Sequence, residues 1–220
     1  AKHKARLVSN GSAINALELG RQFGVSTSGV REFLNRFARF GLIERRPNAR
    51  WVFKGFTESF AMELFEIREL FELRSALTFT RLPAASPLWG RLKAIRVEHQ
   101  RLLKDIDTRY HDFSDLDNRF HRLVHEAGHN RFIEDFYDII AFIFHYHYQW
   151  NKLLEKHRNR VAILEHIDYI DALLERDPKQ VEIACRLHLA SARMTLLASL
   201  APDAAQVAAA TLTAVEQTPK

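Results

Sequence analysis

DFSDLDNRFHRLVH, residues 112–125, reads as one amphipathic helix. Phe113, Leu116, Phe120 and Val124 recur at helical spacing and mark a face that must turn inward. Asp117 and His121 share that face, four residues apart, so their side chains project next to each other. Burying an unpaired carboxylate costs on the order of several kcal/mol, and an inward Asp therefore needs a strong partner. A divalent cation is one that both residues can reach. Two later histidines fall at comparable places. His166 lies among Ile163, Ile167 and Ile170, and His188 shares a face with Val181, Ala184, Ser191 and Thr195. Three nitrogens and one carboxylate suit Zn, Ni, Mn or Fe and leave coordination positions open. The alternative is four separate polar residues, each satisfied by hydrogen bonds in the core.

Working outward, helical periodicity dominates from Thr57 onward. The first helix of this region, about 60–79, carries Leu64, Ile67, Leu70, Phe71, Arg74 and Leu77. Pro83 and Pro87 bracket a connector. Further helices are expected at about 88–107, 112–127, 130–156, 158–175 and 178–199, the last opened by Asp177-Pro178. The Ala-rich tail is either a seventh helix or a frayed end. The expected architecture of residues 57–220 is an all-α bundle of six or seven helices.

Residues 1–56 differ in character. They carry 11 Lys/Arg against 3 Asp/Glu, a net +8, whereas the remainder carries 21 against 24, a net −3. Concentrated positive charge is the footprint expected of a nucleic-acid-binding domain. Ala13–Phe23 reads as a short helix with Ile14, Leu17, Leu19 and Phe23 inward. Gly24-Val25 forms a turn, and Ser26 caps a second helix reaching about Phe40, with Val30, Phe33, Leu34 and Phe37 inward. The outer face of that helix offers Thr27, Ser28, Arg31, Asn35 and Arg39. Gly41 ends it, and Leu42–Arg46 and Trp51–Lys54 read as two strands joined at Pro47–Arg50. The sum is a winged helix-turn-helix, whose second helix enters the major groove while backbone contacts fix its register.

The single cysteine, Cys185, excludes an internal disulfide framework and fits a reducing, cytoplasmic setting. No run of about 18 apolar residues suggests a membrane span, and AKHKARLVSNGS lacks the apolar core of a signal peptide.

The segment LGRQFGVSTSGVREFLNRFARFGLIERRPNARWV, residues 19–52, resembles the DNA-binding domain of GntR-type bacterial repressors. Val25, Ser26, Val30, Arg31, Glu32, Leu34, Gly41, Leu42 and Ile43 match its recognition pattern. Thr27 stands where the family has Arg, Gly29 where it has Pro, and the wing tip Asn48-Ala49-Arg50 lacks a clear Gly. The resemblance implies DNA contacts from Ser26, Thr27, Ser28, Arg31 and Asn35, with Arg45, Arg46 and Arg50 reaching phosphates from the wing. Residues 57–220 are similar to the FCD effector-binding domain of one GntR subfamily, through EIRELFE, DLDNRFH with AGHN, LEHIDYIDALLERDP and RLHLASA. In members with these residues, one Asp and three His hold a metal at the bundle centre. Carried over one by one, the ligands are Asp117, His121, His166 and His188.

The function expected is therefore a transcriptional regulator, a repressor acting as a homodimer on a DNA operator. It would be controlled by a small carboxylate bound at a metal, Zn first among the candidates. Arg68, Arg74 and Asn151 are candidate effector contacts; an ordinary Arg68–Glu72 ion pair is the plainer alternative. Two other readings stay open: a metal-dependent hydrolase, and a regulator whose metal is purely structural.

Overall fold

A computed structural model describes residues 11–47, 50–54, 57–150 and 152–200. The chain forms two compact units, Ala1–Thr57 and Glu58–Lys220.

In the first unit, strand β1 (Ala13–Ile14) precedes helices α1 (Ala16–Phe23) and α2 (Thr27–Ala38), then strands β2 (Ile43–Arg46) and β3 (Arg50–Phe53). The first helix starts later than its apolar pattern predicts. The cause is Asn15, whose Oδ1 accepts from the backbone N–H of Leu17 (3.0 Å) and Glu18 (3.3 Å) and so starts the helix there. Ala13 and Ile14 instead pair with Val52 and Trp51, giving an antiparallel sheet of order β1-β3-β2. α1 buries Ala16 and Gly20, while Leu17 and Phe23, expected inward, are exposed. α2 buries Val30 and Leu34, and Phe33 is half exposed against Phe37. The turn between the helices follows the sequence reading. Gly24 adopts φ +66°, and Ser26 Oγ accepts from the Gly29 N–H at 3.1 Å. A Cβ on Gly20 would lie 2.7 Å from the Val25 carbonyl oxygen, so only glycine lets the turn close.

The second unit has six helices among the described residues: α3 (Glu58–Phe79), α4 (Pro87–Arg109), α5 (Phe113–Glu126), α6 (Arg131–Trp150), α7 (Lys152–Glu175) and α8 (Pro178–Leu200). The Ala-rich tail lies outside the described residues. Start signals are local: Ser86 caps α4 ahead of Pro87, and Asp177 Oδ1 accepts from Lys179 N–H at 2.9 Å ahead of α8. α5 packs against α3, α4 and α6, and α8 packs against α3 and α7. Phe79, Leu92, Ile106, Phe120, Leu123, Ile163, Tyr169, Ile170 and Leu173 fill the core between them.

One boundary differs from expectation. α7 already runs from Lys152, so the division expected near residue 157 falls inside a helix, and no Gly or Pro marks a break there. α3 turns inward a face that its apolar residues mark only in part. It buries Ala61, Leu64, Phe65, Arg68, Glu72, Ser75, Ala76 and Phe79, leaving Leu70 66% exposed. Three polar residues on the inward stripe point to a polar centre in the bundle.

Candidate metal centre

α5, α7 and α8 bring Asp117, His121, His166 and His188 together, with one possible ligand atom from each lying within 4.8 Å of all the others. His121 and His166 are fully buried, and His188 nearly so. The Asp117 side chain is 34% exposed. Its Oδ1 lies 3.6 Å from His121 Nε2 and 3.5 Å from His166 Nε2, and the Nε2 atoms of His166 and His188 are 3.2 Å apart. Ligand atoms on a tetrahedral ion with bonds of about 2.1 Å stand roughly 3.4 Å apart. These three separations fit such an ion.

The surrounding hydrogen bonds decide which nitrogen each ring presents. His121 Nδ1 donates to Glu72 Oε1 at 2.6 Å, and His188 Nδ1 donates to Glu165 Oε2 at 3.0 Å. His99 Nδ1 donates to the Ile95 carbonyl at 2.8 Å, so its Nε2 is an acceptor. His166 Nδ1 therefore donates to His99 Nε2 at 2.9 Å. All three candidate ligands are left with an Nε2 lone pair facing the cluster, the arrangement in which outer partners orient metal-binding histidines. Three lone pairs and a carboxylate converging in a buried space repel one another unless a cation lies between them. That donor set fits a divalent metal.

Electrostatics agree. Burial, joined by each other's nearness, pushes the pKa of His166 well below that of free imidazole. Burial also lowers His188, against the Glu165 hydrogen bond. Both rings stay neutral, as ligation requires. Burial pulls His121 down too, but the charges of Glu72 and Asp117 outweigh it and raise its proton affinity, and the same field favours a metal. Burial raises Glu165, yet its bonds to His188 and Arg158 bring it to about 2.

The cluster borders a cavity of about 490 Å³ lined by Arg68, Asp117, Tyr137, Arg158, Asn159 and His188 among others. Arg158 is buried and donates to both Glu165 oxygens, at 3.3 and 3.2 Å, and to Ser191 Oγ at 2.7 Å. Arg68 is buried as well, with its Nε 3.4 Å from Glu72 Oε2. Arg74 is exposed and not part of the cavity wall, since six residues past Arg68 the helix has turned it away. Asn151 lies outside the described residues.

The FCD domain family matches residues 63–191, more than half of the chain. The chain belongs to the FCD branch of the GntR family. It is 37% identical over 190 residues to LgoR of Escherichia coli (strain K12), named as an HTH-type transcriptional regulator. That match covers 86% of the chain and 62% of LgoR, so the chain spans less than two thirds of that relative's length. Among solved structures, E. coli McbR/YncC superposes with TM-score 0.66 at 16% identity, covering 86% of this chain and 88% of that one. The metal-free FCD domain of TM0439 superposes with TM-score 0.56 at 23% identity, covering 66% and 97%. These likenesses establish a shared fold.

In this FCD protein the outer partners were harder to read from sequence than the four clustered residues. Glu72, His99, Glu165 and Arg158 were not singled out for these places. Spacing offered a signal for two of them: Arg68 and Glu72 stand four apart, and His99 continues the stripe of Leu92, Ile95 and Leu102. In the first unit, Ser26 caps α2, Thr27 is half-buried, and Ser28, Arg31 and Asn35 are exposed. Arg45 and Arg46 are exposed on β2; the Arg45 guanidinium lies 5.7 Å from the Trp51 ring centre, and Arg46 is 3.8 Å from Glu44. Arg50 opposes Arg46 in the register of the hairpin.

Proposed function

We propose that the protein is a metabolite-responsive repressor whose α3–α8 bundle holds one divalent metal, Zn first, on Asp117, His121, His166 and His188. The observation that carries this reading is the convergence of three Nε2 lone pairs and one carboxylate at the wall of a cavity that also presents two buried arginines. The bound metal would supply a Lewis-acidic anchor for a small carboxylate. Arg158 and Arg68 would hold the rest of its charge, with Arg158 taking the place that sequence reasoning assigned to Arg74. Effector binding would shift the population competent for DNA. The cytoplasmic protein would act as a homodimer. Each copy would place the start of α2, with Ser26, Thr27, Ser28, Arg31 and Asn35, in the major groove, and Arg45, Arg46 and Arg50 at phosphates. The hydrolase reading fares worse, because both acids beside the cluster, Glu72 and Glu165, are tied to histidines and arginines rather than poised as a general base.

Elemental analysis of the purified protein beside Asp117→Ala and His188→Ala tests the centre. About one metal per chain, lost in both variants, is expected; full metal in both removes these ligands. Arg31→Ala should abolish specific operator binding and leave metal content unchanged. Wild-type operator affinity would take Arg31 out of DNA readout.

A further inference from the structure

We infer that Arg68 competes with the metal for His121, so that loading the centre requires its guanidinium to leave that ligand. The inference rests on the metal reading above and adds a built-in antagonist to it. Arg68 Nη2 lies 3.1 Å from His121 Nε2. His121 gives its Nδ1–H to Glu72 at 2.6 Å, which leaves the lone pair on Nε2. A guanidinium has donors and no acceptor, so the Arg68 contact is an N–H donated to that lone pair. A metal needs the same lone pair, and one in-plane lone pair of an imidazole serves one partner.

Placement reinforces the competition. Arg68 is 6% exposed and its Nε is held by Glu72 at 3.4 Å, which keeps the charged fork over the ligand. Arg158 makes the instructive contrast. It also pairs with a glutamate that holds a ligand histidine, but it donates to Glu165 and Ser191, behind the Nδ1 side of His188. One arginine supports its histidine from the rear, and the other sits at the coordinating atom. Because Arg68 also lines the cavity, its displacement turns a guanidinium toward the place where an anion would bind. Metal loading and readiness for an anionic ligand would then arrive together.

The test measures Zn affinity of the full chain by competition with a chromophoric chelator, for wild type, Arg68→Met and Arg68→Lys. Met fills similar volume without a donor or a charge. Removing one charge-assisted hydrogen bond from the ligand should tighten Zn binding about ten- to hundredfold in Arg68→Met. Arg68→Lys, which keeps the charge but loses the fork, should fall between Arg68→Met and wild type. Equal or weaker binding in Arg68→Met overturns the competition. Should that variant fail to fold, Arg68→Lys decides alone: tighter binding than wild type supports the competition, and equal or weaker binding overturns it. A wild type that binds no Zn instead sinks the metal reading, and this inference with it.

Discussion

Replacing Glu72 by Gln should weaken the protein in two separable ways. Glu72 is fully buried, and it accepts from His121 at 2.6 Å while pairing with Arg68 at 3.4 Å. Burial pushes its carboxyl upward, but His121, which donates a hydrogen bond to it, and the charge of Arg68 outweigh that and hold it well below the usual carboxylate range. It is therefore ionised at neutral pH. Gln keeps the shape and one acceptor but leaves Arg68 without its counter-charge. Breaking a buried pair from one side costs about 3–5 kcal/mol, a large part of the roughly 5–15 kcal/mol that holds a domain folded. Removing the outer partner of a metal-binding histidine altogether costs about 10- to 100-fold in metal affinity, or about 1.4–2.7 kcal/mol, which bounds the loss for Gln, whose amide oxygen can still accept. Urea unfolding followed by far-UV circular dichroism measures the first effect, and Zn competition measures the second. The stability term has a pH signature. Because the folded pKa is depressed, the contribution is complete above the ordinary carboxyl value of 4.5 and is lost as pH falls through the folded one. The gap between wild type and Glu72→Gln should thus narrow below about pH 4.5. A variant with unchanged stability and unchanged Zn affinity would refute the role given to this carboxylate.

Three further outcomes follow from local geometry. Gly20→Ala should destabilise the first unit by about 1–3 kcal/mol, because its Cβ would meet the Val25 carbonyl at 2.7 Å; a thermal melt identical to wild type would contradict this. Cys185 is fully buried and burial raises its thiol pKa, so it should resist a thiol-specific reagent at pH 8 and react once the chain is unfolded in urea. Arg74→Ala should leave Zn affinity at the wild-type value, since Arg74 is exposed and outside the cavity wall, whereas a tenfold loss would return it to the site.

Much of the fold was legible because its signals are local. Gly24, Ser26, Gly41 and Pro178 mark ends and starts by backbone chemistry that any neighbour leaves intact. The four clustered residues were legible because each interrupts an apolar stripe. What escaped the sequence was set by tertiary context. α3 turns Arg68, Glu72 and Ser75 inward since they serve α5, while Leu70, one of the apolar residues at helical spacing, is exposed. Asn15 starts α1 two residues after Ile14, whose apolar side chain looked like part of the same helix. Arg158 follows a segment without Gly or Pro, and only its arrival beside Glu165 and Ser191 gives it a place in the cavity wall.

The charges around the centre order the ligands of the proposed function. Asp117, Glu72 and Glu165 are anionic, Arg68 and Arg158 are cationic, and His166 and His188 are held neutral by burial. With His121 neutral once ligated, the set sums to −1. On the cavity wall, Arg122 and Asp138 pair at 2.7 Å and cancel, and Arg119 beside it answers both Asp115 at 2.8 Å and Glu98 at 2.6 Å. A net charge beside these buried histidines is unfavourable, and a divalent cation reverses its sign to +1. A monocarboxylate then brings the total to zero, whereas without the cation the same anion leaves the site negative. The carboxylate should therefore bind strongly only after the metal. By linkage it should tighten metal binding by the same factor, and equal affinity of a carboxylate such as acetate for chelated and Zn-loaded protein would refute that order.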